Sequence, residues 1–279
     1  MNFFGKHLKP AWTFKTEKKV WRLLPGSGVL AAELRDTDAK LTDYAGIDIA
    51  SGAPLWQGLR LEDSWWVIMN RIYRDVLLLQ QFVKPDMPTP GKVFAVDLFT
   101  GKLLWENREV SYLNAAGDLI YGLRSSIRSE EVVGLDYRTG SEKIAFPTDD
   151  PRAEEVSALT TNDGFVLPCF IEEIENDITP AHAATLKSAP PAGASKPTFI
   201  PTVAGRDVMG FHSNAGTDEK GIPLFDSHVK VLDADGKAIF DDVADRKVYT
   251  AMSDFYFVAG ENLIYVRNSN EIVSVRLGS

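Results

Sequence analysis

This chain predicts an all-β fold assembled from repeated four-stranded units, on three observations. A hairpin motif recurs four times, further strand-like runs precede its copies, and no segment shows helical periodicity of any length. Four-stranded units at intervals of about 40 to 50 residues, closed by turn glycines, are the pattern of a β-propeller. The expected arrangement is one propeller domain over residues 1–279 with five four-stranded blades, six being the alternative.

The elements follow in chain order. Pro10-Ala11-Trp12-Thr13-Phe14 reads as a lone strand. Val20 to Leu24 and Val29 to Leu34 are two strands leading into the first hairpin, Gly46-Ile47-Asp48-Ile49-Ala50-Ser51-Gly52-Ala53-Pro54-Leu55-Trp56. Trp65 to Ile72 and Val76 to Val83 lead into the second, Ala95-Val96-Asp97-Leu98-Phe99-Thr100-Gly101-Lys102-Leu103-Leu104-Trp105. Val110 to Leu113 and Leu119 to Leu123 lead into the third, Gly134-Leu135-Asp136-Tyr137-Arg138-Thr139-Gly140-Ser141-Glu142-Lys143-Ile144. A shorter copy runs from Val231 through Asp233 and Gly236 to Phe240.

In each hairpin the glycine supplies positive φ, the Asp hydrogen-bonds the backbone of its own turn, and the Trp fills space between neighbouring sheets. Asp48, Asp97 and Asp136 are 49 and 39 residues apart, whereas Asp233 follows Asp136 by 97. Inside that long interval, Ile178 to Pro201 carries five prolines and many alanines, which suits a surface insertion over about 173–205 with room for a short helix. Glu271 to Leu277 reads as a third strand with no Thr-Gly turn after it. Because Pro10 to Phe14 matches the Pro54-Leu55-Trp56 strand, the N-terminal strand is expected to pair with the C-terminal blade and close the ring.

The repeat resembles the tryptophan-docked blades of the pyrroloquinoline quinone dehydrogenase superfamily and its non-catalytic relatives, whose motif runs Ala-x-Asp-x-x-Thr-Gly-Lys-x-x-Trp. Residues Ala95 to Trp105 match every fixed position; the first copy departs at Gly46, Ser51 and Ala53, the third ends in Ile144, and the fourth is one residue short. The resemblance implies the fold. It does not carry the quinone over, since those enzymes have eight blades and 279 residues at about 45 each cannot supply them. No cofactor is therefore expected. The pattern also resembles small uncharacterised bacterial propeller-like proteins.

Composition narrows the function. With 44% hydrophobic and 25% charged residues the chain can bury one sizeable core or two small ones. Thirty Lys and Arg against 39 Asp and Glu give a net charge of −9 and a pI near 5.0, which argues against nucleic-acid binding. No apolar stretch resembles a signal sequence or a membrane span, and the lone Cys169 cannot form an internal disulfide, so a cytoplasmic monomer without membrane insertion is expected.

Familiar catalytic patterns are absent. The chain has no Gly-x-Ser-x-Gly elbow, no phosphate-binding Gly-rich loop and no dinucleotide fingerprint. His7, His182, His212 and His228 show no zinc-ligand spacing. Asp233-Ala234-Asp235-Gly236 places its glycine too early for a calcium loop, Cys169 in an apolar run reads as a structural thiol, and Glu172, Glu173, Glu175 and Asp177 read as a solvated face. No metal site is expected.

One cluster stands out. Trp21, Arg22, Glu33, Arg35, Asp36, Glu62, Trp65, Trp66 and Arg71 concentrate aromatic and charged groups in the first two units, and exposed aromatics beside Arg and Glu suit a sugar or a peptide. The bland reading is packing of the Trp residues between sheets, with charges paired along strands. The expectation is a non-catalytic binding or scaffold propeller for a protein or carbohydrate partner. The alternative is a small, glycoside-active propeller enzyme using Glu33, Asp36 and Glu62 as channel acids.

Overall fold

The computed structural model describes residues 7–83, 90–126, 129–159 and 164–278. Their strands build five antiparallel sheets, all of them sequential meanders at heart. The chain divides into two compact units, Lys18–Ile49 with Ala53–Asp163, and Met1–Glu17 with Ala50–Gly52 and Gly164–Ser279. The N-terminal strand β1 (Pro10–Lys15) belongs to the latter.

The first of these units contains three four-stranded sheets. They are β2 (Lys19–Gly26), β3 (Val29–Asp36), β4 (Leu41–Asp48) and β5 (Pro54–Leu59); β6 (Val67–Tyr73), β7 (Val76–Phe82), β8 (Pro90–Asp97) and β9 (Leu103–Asn107); and β10 (Ser111–Ala116), β11 (Leu119–Ser125), β12 (Glu130–Asp136) and β13 (Glu142–Pro147). Side chains alternate across a strand, so a strand buried on both faces reads as a continuous apolar run. In β7, Leu77 and Leu79 enter the core shared with Val29, Ala31 and Tyr44 of the first sheet, while Val76 and Leu78 enter the core shared with Ala115, Ile120 and Val133 of the third.

The hairpin turns behave as their residues dictate. Asp97 Oδ1 accepts hydrogen bonds from the amides of Phe99 and Thr100 at 3.2 and 2.9 Å, and Asp136 does the same for Arg138 and Thr139 at 3.1 and 2.9 Å. Each closing Trp then lies over the glycine of the next turn. Trp56 donates its indole N–H to the Leu98 carbonyl at 2.8 Å and covers Gly101; Trp105 donates to the Tyr137 carbonyl at 3.0 Å and covers Gly140. A Cβ at Gly101 would stand 2.6 Å from the Trp56 ring, so only glycine admits the indole there.

A helix that periodicity did not announce follows the third sheet. α1 (Pro151–Ser157) starts on Asp150, whose side chain accepts the Arg152 amide at 3.0 Å, with Pro151 in the first turn. Its Ala153 and Val156 pack on Val132 and Phe146, and Asn114 donates to the carbonyls of Val156 and Leu159 at the helix end.

The other unit contains two five-stranded sheets. In chain order come β14 (Phe165–Val166), β15 (Cys169–Phe170), α2 (Ile171–Ile174), α3 (Pro180–Ser188), β16 (Thr198–Val203), β17 (Arg206–Thr217), β18 (Pro223–Leu232), β19 (Ala238–Val248), β20 (Tyr256–Ala259), β21 (Asn262–Arg267) and β22 (Glu271–Arg276). One sheet runs β15-β16-β17-β18-β19 and the other β1-β22-β21-β20-β14. The expected pairing of the N-terminal strand with the C-terminal one is present: Trp12 opposes Ser274, Thr13 opposes Val273 and Phe14 opposes Ile272. Trp12 also covers Gly52, where a Cβ would lie 2.5 Å from its ring.

The two sheets share a core of Val208, Val229, Val231, Tyr256, Leu263, Tyr265 and Val273. On the opposite side of β16 to β18, Ile171 and Leu186 from α2 and α3 cover Phe199, Met209 and Phe211. The described part of the long interval before Asp233 thus holds β13, α1, the short strands β14 and β15, the helices α2 and α3, and the ladder strands β16, β17 and β18, with β16 lying inside the stretch expected as an insertion. Among the described residues no helix is long and apolar enough to cross a membrane.

Candidate binding site

The site begins with a defect in a ladder. In the β2–β3 pairing Val20 opposes Leu34 and Arg22 opposes Glu33, leaving Trp21 as the extra residue of a β-bulge. Bulges re-aim side chains that strict alternation would send to the other face. The first strand of each of the other two sheets in this unit carries the same irregularity, at Asn70 in β6 and at Leu113 in β10.

The bulge sets Trp21 against Arg35. The guanidinium carbon of Arg35 lies 4.6 Å from the Trp21 ring centroid and 4.9 Å from that of Trp65, so the cation sits against two indoles. Trp65 comes from the 3-10 turn Ser64–Trp66 that precedes β6. Arg35 Nε and Nη2 both donate to Glu33 Oε1, at 2.7 and 2.6 Å. Glu33 is completely buried and its Oε2 has no hydrogen-bond partner among the described residues. Burial pushes the Glu33 carboxyl above its ordinary range, against the opposing pull of Arg35, Arg22 and the Met69 amide. Arg22 donates Nη1–H to the Met69 carbonyl at 2.7 Å. Tyr44, opposite Glu33 in the β3–β4 ladder, is buried and donates its hydroxyl to the Val67 carbonyl at 2.7 Å; burial raises its pKa.

Of the nine candidate residues, Trp21, Glu33, Arg35 and Trp65 form this one cluster, with Arg22 facing Glu33 across the ladder. Asp36 is engaged in the turn after β3, where Oδ1 accepts the amides of Asp38 and Ala39 at 3.1 and 2.9 Å. Glu62 is exposed and ion-paired with Lys92, whose hydrogen bond lowers its pKa. Trp66 is 39% exposed, and Arg71 is half-buried opposite Leu78. The three acids considered for glycoside chemistry therefore have three different engagements: an Arg clamp, a turn and a lysine. Sequence reading overlooked Lys92 and the Met69 carbonyl, because neither a buried lysine nor a backbone acceptor leaves a motif.

The other expectations find local partners. Glu172 pairs with Lys196, Glu175 with Lys187, and Glu173 accepts the Phe170 amide. His182 Nε2 meets Asp207 at 2.8 Å, His212 meets Ser227 and the Met252 carbonyl, and His228 meets Ser213 while stacking on Phe211. Burial lowers the His228 pKa. Half-buried Cys169 has its thiol pKa raised by burial and, next, by Glu173. Asp233 Oδ1 accepts the amides of Asp235 and Lys237, a turn role. Among the described residues no group of three or more His, Cys, Asp or Glu side chains is arranged to hold a metal ion.

Residues 24–105 match the family described as "Domain of unknown function (DUF4905)". No curated protein matches the chain. Among solved structures it is similar to a europium-containing methanol dehydrogenase, at 15% identity and a TM-score of 0.34 over 93% of this chain and 50% of that one. It is also similar to the β-propeller domain of the Trilobed protease from Pyrococcus furiosus, at 12% identity and a TM-score of 0.33 over 90% and 63%. A member of the duf4221 family from Bacteroides vulgatus gives 10% identity and a TM-score of 0.32 over 96% and 97%. The chain thus spans half to under two thirds of the first two. Likeness at this level assigns no chemistry to it.

Proposed function

We propose that this chain is a non-catalytic binding or scaffold module, a single five-bladed, tryptophan-docked propeller that offers the Trp21 platform to a protein or carbohydrate partner. Five meander sheets, the β1–β22 pairing and the seat of Trp12 on Gly52 support a ring closed by the N-terminal strand. The chain acts as a monomer in a reducing compartment such as the cytoplasm, where Cys169 stays a thiol.

The observation that carries the binding reading is Trp21. It is 59% exposed, yet one side of its ring is covered by a guanidinium that a buried carboxylate holds in place. An exposed indole normally loses rotamer freedom when it binds; one already packed on a fixed cation has less to lose, and pre-organisation of that kind favours association.

Calorimetric titration of the full chain and of W21A with a panel of oligosaccharides and peptides tests it. A ligand bound by the native chain and lost by W21A, with unchanged circular dichroism, supports the platform. Ligands held equally by both proteins overturn it.

A further inference from the structure

The chemistry around Trp21 narrows the ligand, on the basis of the binding-module reading above. Arg35 occupies one face of the indole, and a cation there draws on the same ring electrons that a second cation would need. Cationic ligands are therefore disfavoured on the free face. What remains is a flat apolar surface suited to the C–H face of a rigid ring.

Charge completes the specification. Two guanidinium groups, Arg22 and Arg35, share one carboxylate, Glu33, and Arg35 takes its bonded oxygen. Lys19 stands opposite Arg35 in the same ladder and adds a further positive charge. Arg22 is exposed, is anchored through Nη1 to the Met69 carbonyl, and has no ion pair within 4.0 Å among the described residues. Its Nε and Nη2 find no acceptor among those residues either. Elsewhere among the described residues, arginines 60, 74, 108, 124, 138, 152, 246 and 267 each meet a carboxylate, while Arg206, like Arg22, meets a backbone carbonyl, that of Leu277. An anchored guanidinium with free donors recognises a carboxylate better than it does a neutral group, because two parallel N–H donors fit two oxygens.

We infer that the platform binds an acidic saccharide, a hexuronate whose pyranose ring stacks on Trp21 and whose carboxylate meets Arg22. A uronate unites the two features, a rigid ring with a C–H face and an anionic group fixed at its edge. Partial exposure of the Arg22 contact makes the binding sensitive to salt.

The test is calorimetry on the full chain with short galacturonate, glucuronate and mannuronate oligosaccharides, each beside its carboxyl-reduced counterpart. At least one uronate should bind roughly tenfold or more tightly than its reduced form, about 1.4 kcal/mol, and weaken as salt rises. R22A should erase that preference, R22K should retain part of it, and W21A should abolish both ligands, all three variants keeping the native circular dichroism. Equal affinity for acid and reduced forms, or a preference that survives in R22A, overturns the acidic assignment and leaves the platform standing. Peptides that bind in a Trp21-dependent way while no saccharide does overturn the saccharide. If no ligand responds to W21A, the binding-module reading fails with it.

Discussion

At the scale of single residues, the most consequential positions are glycines that neighbouring indoles cover. Gly101 has φ +68° and Trp56 packed 2.6 Å from where a Cβ would stand, whereas Gly117 has φ +57° with nothing within 4 Å. Alanine at Gly117 therefore costs only the left-handed backbone, about 1 kcal/mol. Alanine at Gly101 must also displace the Trp56 ring and strain its bond to Leu98, for a total of about 3 kcal/mol. Urea denaturation of G101A and G117A checks the contrast; equal losses would mean that the Trp56 seat carries no weight. The Gly101 turn was legible in the sequence, since Thr-Gly-Lys between apolar runs leaves little choice. The bulge at Trp21 was not legible, because an extra residue in a ladder breaks the two-residue alternation on which the reading depends.

Among the elements, β1 is the one whose attachment crosses the greatest length of chain. Its last residue, Lys15, pairs with Glu271 at 2.6 Å, and Arg267 reaches the other oxygen of Glu271 at 2.8 Å. Hydrogen bonds from Lys15 and then Arg267 hold the Glu271 carboxyl below its ordinary value of 4.5. A carboxyl with a lowered folded pKa contributes stability that is present above the unfolded value and lost as pH falls through the folded one. Acidification below about 4.5 should therefore loosen β1 in the native chain, seen as line broadening of the Trp12 indole resonance. E271Q should be looser at neutral pH and respond less to acid; an identical acid response in E271Q would place the sensitivity elsewhere. The pairing of β1 was anticipated from the match between Pro10-Ala11-Trp12 and Pro54-Leu55-Trp56. α1 was not, because seven residues hold too few turns for a period, although Asp150-Pro151 marks its start.

For the whole molecule, charge sets the behaviour that is simplest to measure. A net charge of −9 and a pI near 5.0 place the solubility minimum near pH 5, and light scattering across the range from about pH 4 to 8 should peak there. A flat profile would show that burial has redistributed the ionisable groups enough to cancel the composition. By itself the sequence determined the all-β class, the hairpin turns and the partner of the N-terminal strand, since these follow from local φ preference, side-chain alternation and internal repetition. Tertiary structure alone decided which of the nine candidate residues meet. Glu33, Arg35, Trp21 and Trp65 lie on three separate segments, and their union depends on a bulge, a 3-10 turn and the packing of one sheet on the next. Contacts between segments depend on distances in space, which spacing along the chain does not encode.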